Sequence, residues 1–478
     1  MPRRLPARKQ AAQRKRSAGR GAAPARVLAL AMLAEVRNPR GRGMDTVLEE
    51  ARRGGRASVQ DLALAREIAY GVCRRRRWLE EVLARYVQRP LPTGAARVHD
   101  ALLCGLFQAI YLDRIPMHSV VDETVRLTGA VRTEAGYRRL ANAVMRRISE
   151  TPREELLPGP EVPWPIRESI PDWLASEGGQ VLPKSELPDF FAALNEQAPL
   201  TLRVTRPAAE STEVPVPERL RGEVVDMTQA LPGVTAGRFL PECLQVRARG
   251  LSPEYLPLFQ RGLVTAEDEG GQLVGWLAGA RPGMRVLDLC ASPGGKTAHL
   301  LDLMERRPGR FVACDVGEEK LGRLRDTLDR LALGGLAEVL DVRALPESHE
   351  PESFDLVVVD APCSGLGTLR RHPEIRWRRG PRQIRELART QATLLRQAGR
   401  WVRPGGTLLY SVCTFTMLET DRVLEQLLAE AGDGFEPATA PEGLPFDVET
   451  FTAGPGRWRT FTNKHGCDTF YVGKLRRR

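Results

Sequence analysis

Near the middle of the chain stands Val286-Leu287-Asp288-Leu289-Cys290-Ala291-Ser292-Pro293-Gly294-Gly295-Lys296-Thr297. Its apolar first half predicts a buried strand, and its Ser-Pro-Gly-Gly sequence predicts a tight turn. Adjacent glycines permit positive φ and let a backbone approach a ligand closely. The stretch therefore predicts a strand, a ligand-binding turn and a helix that begins near Lys296.

Strand-like and helix-like segments alternate from about residue 271 onward. The predicted strands are Val286–Cys290, Arg310–Val316, Ala337–Val342, Asp355–Asp360 and Thr407–Ser411, and the clearest helices are Glu318–Leu333 and Arg382–Trp401. Such alternation is typical of an α/β fold with a mostly parallel, Rossmann-like sheet and helices on both faces. Ligands of such sheets bind at the carboxyl ends of the strands.

The glycine turn lacks the common phosphate-binding patterns. A Walker A loop would need a glycine at the position of Cys290, and no G-x-G-x-x-G pattern is present. Asp315 and Asp341 end the next two predicted strands, where a carboxylate can accept hydrogen bonds from ribose hydroxyls. A nucleoside cofactor held without a phosphate-binding loop fits S-adenosyl-L-methionine better than ATP.

Charge is unevenly distributed along the 478 residues, whose formal net charge is +11. Residues 1–150 contain 30 Lys or Arg and 14 Asp or Glu. Such an excess favours a polyanion partner, although a solvated surface is the simpler alternative. No apolar run approaches the roughly 18–20 residues needed to span a bilayer, so we expect a cytoplasmic protein without membrane contact. The eight cysteines form no C-x-x-C pair, which predicts no disulfide framework and no metal site.

The pattern divides the chain into five segments. Residues 1–23 form a basic tail that is predicted to be disordered, and residues 24–150 show the apolar spacing of an all-α domain. Six prolines between residues 151 and 171 predict a linker. Residues 172–270 include a strand at 200–204 and predict a small α+β subdomain, and residues 271–478 form the α/β domain.

Two cysteines lie in segments with a catalytic character. Cys363 occurs in Asp360-Ala361-Pro362-Cys363-Ser364-Gly365, and Cys413 occurs in Tyr410-Ser411-Val412-Cys413-Thr414-Phe415. Both follow strands of the same sheet, so we expect them to share one site with the cofactor turn. Carbon C5 of a pyrimidine becomes nucleophilic when a thiolate adds to C6, and this chemistry also needs a group near N3 and a base for the C5 proton.

These segments resemble the RNA cytosine-5 methyltransferases of the Nop2/Sun family. The Asp360–Gly365 segment, the following Arg370–Trp377 segment, the 288–297 turn and the 410–414 segment match its motifs. Upstream, Tyr70–Arg74, Gln108–Tyr111 and Asn142–Arg146 are similar to the NusB-type helical domain of a bacterial branch that modifies small-subunit ribosomal RNA. Matching segments extend over roughly residues 25–475.

The resemblance implies roles for individual residues. Cys413 would be the nucleophile, Cys363 would assist removal of the C5 proton and product release, and Asp360 would contact the cytosine near N3. S-adenosyl-L-methionine would be bound by Cys290, Ala291, Ser292, Pro293, Gly294, Gly295, Lys296, Asp315, Asp341 and Asp360. DNA cytosine-5 methyltransferases place the nucleophile at the Pro-Cys position instead, so the order within the pair depends on the resemblance.

A basic loop with an aromatic residue follows Cys363. We expect it to face RNA through Arg370, Arg371, His372, Arg376 and Trp377. Arginine and aromatic side chains can bind phosphates and stack on an extruded base. The alternative is a solvated loop whose Trp377 packs in the core.

The predicted activity is formation of 5-methylcytosine in small-subunit (16S) ribosomal RNA, free or in an assembly particle, by a monomer. A tRNA cytosine-5 methyltransferase and a non-catalytic RNA-binding assembly factor are the alternatives. Three departures from the family pattern affect fine detail. Val412 stands where threonine is usual, Glu267 where glutamine is common, and Thr205 where asparagine is common.

Overall fold

The computed structural model of the protein describes residues 22–38, 41, 43–55, 57–131, 135–205, 233–247, 253 and 256–478. The chain forms two compact units, one of Met1–Asp172 with His372–Arg378 and one of Trp173–Arg371 with Arg379–Arg478. The predicted basic tail lies outside the described residues except for its last two positions. Within the described ranges, none of the helices has the length and apolar character required to cross a membrane.

The first unit is helical, as the apolar spacing predicts. Its main helices are α1 (Pro24–Arg37), α2 (Met44–Arg53), α3 (Val59–Tyr86), α4 (Ala96–Tyr111), α5 (Met117–Val131) and α6 (Ala135–Glu150). Helix α3 begins at a capping box in which Ser58 Oγ accepts from the Asp61 amide and Asp61 accepts from the Ser58 amide. Leu33, Ile68 and Leu103 are among the fully buried side chains of the core that these helices share.

The proline-rich segment predicted as a linker packs against α3. It contains the short helices α7 (Arg153–Leu156) and α8 (Trp164–Arg167). Leu156 and Ile170 are buried, and the Trp78 indole N–H donates to the Leu156 carbonyl at 2.8 Å. Prolines therefore prevent a long helix here without keeping the segment away from the helical core.

The second unit begins with short helices and a small sheet. Helices α9 (Asp172–Gly178) and α10 (Leu187–Asn195) precede strand β1 (Leu200–Val204), which confirms the strand predicted there. The sheet is antiparallel with the order β2-β3-β1-β4. Its other strands and the next helices are β2 (Val234–Ala236), β3 (Cys243–Val246), α11 (Pro257–Gln260), β4 (Val264–Ala266) and α12 (Glu269–Ala278).

A nine-stranded sheet dominates the second unit. Its strands are β5 (Arg285–Leu289), β6 (Arg310–Asp315), β7 (Glu338–Asp341), β8 (Phe354–Asp360), β9 (Val402–Val412), β10 (Phe435–Pro437), β11 (Thr452–Gly454), β12 (Arg457–Arg459) and β13 (Tyr471–Arg477). The accompanying helices are α13 (Gly295–Leu303), α14 (Glu318–Arg330), α15 (Leu345–Ser348), α17 (Pro381–Gly399), α18 (Asp421–Ala431) and α19 (Thr462–His465). Helix α16 (Ile375–Arg378) belongs to the first unit.

The strand order is β11-β12-β13-β9-β8-β5-β6-β7, with β10 beside β13. Strands β5 to β9 pair in parallel, and β13 pairs antiparallel with β9. Alternate residues enter two apolar clusters, so that Val286 and Val358 belong to one and Leu287 and Val357 to the other. Helices cover both faces of the sheet, which confirms the predicted α/β class and brings the carboxyl ends of β5, β6, β8 and β9 together.

Candidate active site

The glycine turn connects β5 to α13. Gly294 has φ +107° and Cys290 has φ +85°, a backbone region that glycine adopts far more readily than cysteine. The Thr297 hydroxyl donates to Asp288 Oδ2 at 2.6 Å and ties the start of the helix to the strand. Burial raises the pKa of Asp288 to about 7 and the pKa of Cys290 to about 12.

Two acidic residues lie at neighbouring strand ends, as predicted. Asp315 Oδ2 accepts from the Ser292 amide at 3.0 Å, and Oδ1 accepts from Lys320 Nζ at 2.8 Å, so this carboxylate braces the glycine turn. Asp341 Oδ2 accepts from the Gly317 amide at 3.2 Å. Hydrogen bonds from Arg343 hold the pKa of Asp341 well below its ordinary value.

The turn has room and polar groups for a nucleoside cofactor. A Cβ atom added at Gly295 or Gly317 would meet no heavy atom within 4 Å, so the backbone there borders open space. Asp288 Oδ1 is buried without a hydrogen-bond partner in the described part of the chain. The predicted residues therefore fit S-adenosylmethionine, which would be held by the 290–296 turn and by the carboxylates of Asp315 and Asp341. Within this turn the amides of 290, 291, 292 and 294 already donate to protein oxygens.

The two predicted catalytic cysteines lie side by side. Cys363 follows β8, Cys413 follows β9, and these strands are parallel neighbours with Asp360 opposite Ser411. The two Sγ atoms are 3.4 Å apart, and both side chains are half-buried. The hydrogen bond with Cys413 and burial together raise the pKa of Cys363 well above its ordinary value.

Asp360 is held through both of its carboxylate oxygens. Ser411 Oγ donates to Oδ1 at 2.7 Å, and Lys296 Nζ donates to Oδ2 at 2.7 Å. Burial opposes the charge of Lys296, but the attraction of Asp360 outweighs this and raises the lysine pKa. Lys296, predicted as part of the cofactor turn, thus contacts the predicted base-binding carboxylate. Sequence reasoning missed Ser411 as a partner, although it lies in the segment that contains Cys413.

The side chains of Arg370 and Arg371 are paired with carboxylates, whereas we expected them to face RNA. Arg370 is 6% exposed, and its guanidinium donates to Asp468 Oδ1 at 3.1 Å. Arg371 donates to Asp468 Oδ2 at 2.8 Å and to Asp268 Oδ2 at 2.6 Å. Carboxylates that are distant in sequence compensate both charges, so Arg370 is buried and Arg371 is left only 25% exposed.

The rest of this loop, residues 372–378, belongs to the helical unit. Arg376 is 1% exposed, and burial lowers its pKa to about 9. The Trp377 indole N–H donates to the Cys73 carbonyl at 2.7 Å, and the ring packs against the helical core. His372 keeps a side chain that is 41% exposed. The prediction that Arg376 has an exposed side chain is therefore wrong. Trp377 packs against the core, which was the alternative to an RNA-facing position.

A glycine turn and acidic strand ends on a parallel sheet are typical of proteins that bind a nucleoside cofactor, as S-adenosylmethionine-dependent methyltransferases do. A family model described as 16S rRNA methyltransferase RsmB/F matches residues 276–476, and a NusB family model matches residues 23–150. The chain belongs to this 16S rRNA methyltransferase RsmB/F family, and its cofactor is S-adenosylmethionine.

Individual relatives extend the match over nearly the whole chain. Ribosomal RNA small subunit methyltransferase B of Pasteurella multocida is 31% identical, with 91% of this chain and 92% of that protein covered. The protein of the same name from Pseudomonas putida is 33% identical over 87% of this chain and 90% of its own length. The crystal structure of PH0851 has the same fold, with a TM-score of 0.73 at 23% identity over 95% of this chain and 98% of that one.

Proposed function

We propose that this protein forms 5-methylcytosine in small-subunit ribosomal RNA through a covalent bond between Cys413 and C6 of the cytosine. The observation that carries this proposal is the 3.4 Å separation of the Cys363 and Cys413 sulfur atoms beside Asp360. One thiol suffices for a structural role, whereas covalent addition and proton removal call for two reactive groups near the same ring.

Each residue has a separate task in this reaction. Bound S-adenosylmethionine supplies the methyl group. The Cys413 thiolate forms a bond to C6, which leaves C5 rich in electrons while Asp360 holds the N3 side of the ring. After C5 is methylated, Cys363 assists removal of the C5 proton by accepting it on its sulfur atom. The C5 electron pair then restores the ring double bond, and the Cys413–C6 bond breaks to release the thiolate.

Ser411 and Lys296 support this role of Asp360. Each holds one carboxylate oxygen at 2.7 Å, which restricts rotation of the carboxylate. A carboxylate fixed in this way can accept a hydrogen bond from the amino group or protonated N3 of a cytosine in a defined orientation. Because Lys296 also lies on the first turn of α13, Asp360 is tied to the cofactor turn.

The helical unit offers a surface for the RNA backbone. On α6, Arg138, Arg139, Arg146 and Arg147 are all exposed. Positions 139 and 146 are seven residues apart and therefore share one side of the helix. Exposed arginines bind phosphate groups and position RNA without reading its sequence. This surface supports an RNA substrate.

The test combines transfer and mapping. The protein is incubated with labelled S-adenosylmethionine and unmodified small-subunit ribosomal RNA, with a tRNA pool in parallel, and 5-methylcytosine is mapped by bisulfite sequencing. We expect a single new site in the ribosomal RNA. Methylation confined to tRNA would overturn the proposed target, and no transfer to either RNA by cofactor-bound protein would favour a non-catalytic assembly factor.

A further inference from the structure

A buried carboxylate lies behind the two cysteines. Glu419 is 0% exposed and ends a short 3-10 turn, Met417–Glu419, six residues after Cys413. Its Oε1 atom accepts from the Ser364 amide at 2.7 Å and from Gln391 Nε2 at 3.1 Å. Its Oε2 atom accepts from the Thr416 hydroxyl at 3.0 Å. A buried carboxylate needs several donors, and the two catalytic loops together with Gln391 provide them.

These contacts join the loop of one cysteine to the loop of the other. Ser364 directly follows Cys363, and Thr414 directly follows Cys413. Their hydroxyl oxygens are 2.8 Å apart in the space next to the Glu419 carboxylate. One side chain therefore contacts the Cys363 loop at Ser364 and its own Cys413 loop at Thr416.

Two further hydrogen bonds fix the surroundings of this carboxylate. Gln391 of α17 is fully buried and donates also to the Pro362 carbonyl at 2.9 Å, on the residue before Cys363. The Tyr410 hydroxyl donates to the Glu419 carbonyl at 2.6 Å, which anchors the turn to β9. Glu419 is thus held by helix α17 through its carboxylate and by strand β9 through its backbone carbonyl.

We propose that Glu419 is a positioning residue that sets the separation of the Cys363 and Cys413 sulfur atoms. This inference rests on the proposed function for its consequence in catalysis, but the geometric role stands on the contacts alone. Without the carboxylate, the Ser364 amide and Gln391 lose a shared acceptor, and the loop of Cys363 is released from the loop of Cys413. The two thiols would then meet less often in the reactive arrangement.

Disulfide trapping measures the separation without methyl transfer. The azo oxidant diamide converts two neighbouring thiols into a disulfide and takes up their two hydrogen atoms to become a hydrazine. The Cys363–Cys413 bond is quantified by mass spectrometry of the linked peptides. We expect it to form about tenfold more slowly in Glu419→Ala than in the wild type, because the shared acceptor is lost. In Glu419→Gln the rate should fall only about threefold, since glutamine keeps an acceptor for the Ser364 amide.

Two variants distinguish the positioning role of Glu419 from a folding defect. Glu419→Asp keeps the charge but is one methylene shorter, so that it cannot reach both loops, and it carries the test if Glu419→Ala does not fold. Glu425→Gln is the matched control, because Glu425 lies on α18 and pairs only with Arg422 and Arg457 among the described contacts. Thermal unfolding and S-adenosylmethionine binding establish that each variant is folded.

Methyl transfer then connects the geometry to catalysis. We expect kcat to fall in the order wild type, Glu419→Gln, Glu419→Asp, Glu419→Ala, with KM for RNA and Kd for S-adenosylmethionine unchanged. Wild-type disulfide rates in folded Glu419→Asp and Glu419→Ala would overturn the positioning role. The remaining outcome is that the disulfide rates fall in this order of variants while the wild-type protein transfers no methyl group. That outcome would support the role of Glu419 and contradict the proposed function.

Discussion

The Sγ atoms of Cys363 and Cys413 lie 3.4 Å apart although the two residues are separated by fifty positions in the chain. They meet because β8 and β9 are parallel neighbours and each cysteine follows the carboxyl end of its strand. The other cysteines of the described chain are buried, apart from half-buried Cys290 in the cofactor turn. The sheet topology thus creates a paired-thiol site that neither segment contains alone.

Removing the nucleophile separates catalysis from RNA binding. We expect Cys413→Ala to lower kcat by about 10³-fold or more, because the covalent addition to C6 is lost. RNA affinity measured by filter binding should remain within about twofold, since the side chain is small and half-buried. Cys104→Ala, in the core of the helical unit, is the control. Retained turnover in Cys413→Ala would contradict the assigned role.

The hydroxyl of Ser411 orients Asp360. We expect Ser411→Ala to reduce kcat by about 10–100-fold, because one hydrogen bond to a charged carboxylate contributes about 1.5–3 kcal/mol. The Kd for S-adenosylmethionine should not change. Thr393→Ala serves as a matched control, since its hydroxyl donates only to the Arg389 carbonyl of its own helix among the described contacts. Equal kcat values for the two variants would show that Asp360 needs no such support.

Ionisation of Asp288 makes stability depend on pH. Burial gives its carboxyl a pKa of about 7 in the folded protein, whereas an unfolded aspartate has a pKa of about 3.9. The folded state binds the proton more tightly, so this group favours folding below about pH 4 and that contribution is lost as pH rises through about 7. Asp288→Asn removes this dependence of folding stability on pH.

Thermal unfolding without cofactor checks this expectation. The Tm of Asp288→Asn minus the wild-type Tm should be larger at pH 8 than at pH 4. The corresponding change in unfolding free energy is at most about 4 kcal/mol, since each pKa unit corresponds to about 1.4 kcal/mol. The same Tm difference at both pH values would mean that Asp288 titrates normally.

Arginines on α6 should control the salt dependence of RNA binding. We expect Arg139→Gln with Arg146→Gln to weaken RNA binding and to lower the slope of log K against log salt by about 0.7–1.8, as one or two phosphate contacts are lost. Arg52→Gln with Arg53→Gln is the control, because Glu49 already pairs with both arginines. Filter binding at several salt concentrations measures both slopes. Equal losses in the two double variants would contradict a specific role of α6.

Local sequence patterns predicted the elements that carry the site. Apolar runs and the Ser-Pro-Gly-Gly turn placed β5 and α13, and the observed β6 and β8 differ from the predicted strands by one residue at one end. The parallel order of the sheet then follows from the strand–helix alternation. Because catalytic residues follow strand ends, the sequence also predicted that Cys363 and Cys413 share one site.

Contacts between distant positions were not predictable in this way. Arg370 and Arg371 have the composition of an exposed basic loop, but Asp268 and Asp468 neutralise them within the fold. The Glu267 that replaces the usual glutamine pairs with Arg203 at 2.9 Å. Val412, in place of the usual threonine, is buried in an apolar cluster. In each case the partner is supplied by tertiary packing, which no local pattern records.

Trapping the covalent intermediate distinguishes the roles of the two thiols. Cys363→Ala is incubated with S-adenosylmethionine and small-subunit ribosomal RNA, separated on a denaturing gel, and the attachment site is identified by mass spectrometry. We predict a slowly migrating protein–RNA adduct bonded through Cys413, which requires cofactor and is missing from the Cys363→Ala/Cys413→Ala double variant. An adduct through another residue, or active wild-type protein whose Cys363→Ala variant forms no adduct, would contradict the roles assigned to the two thiols.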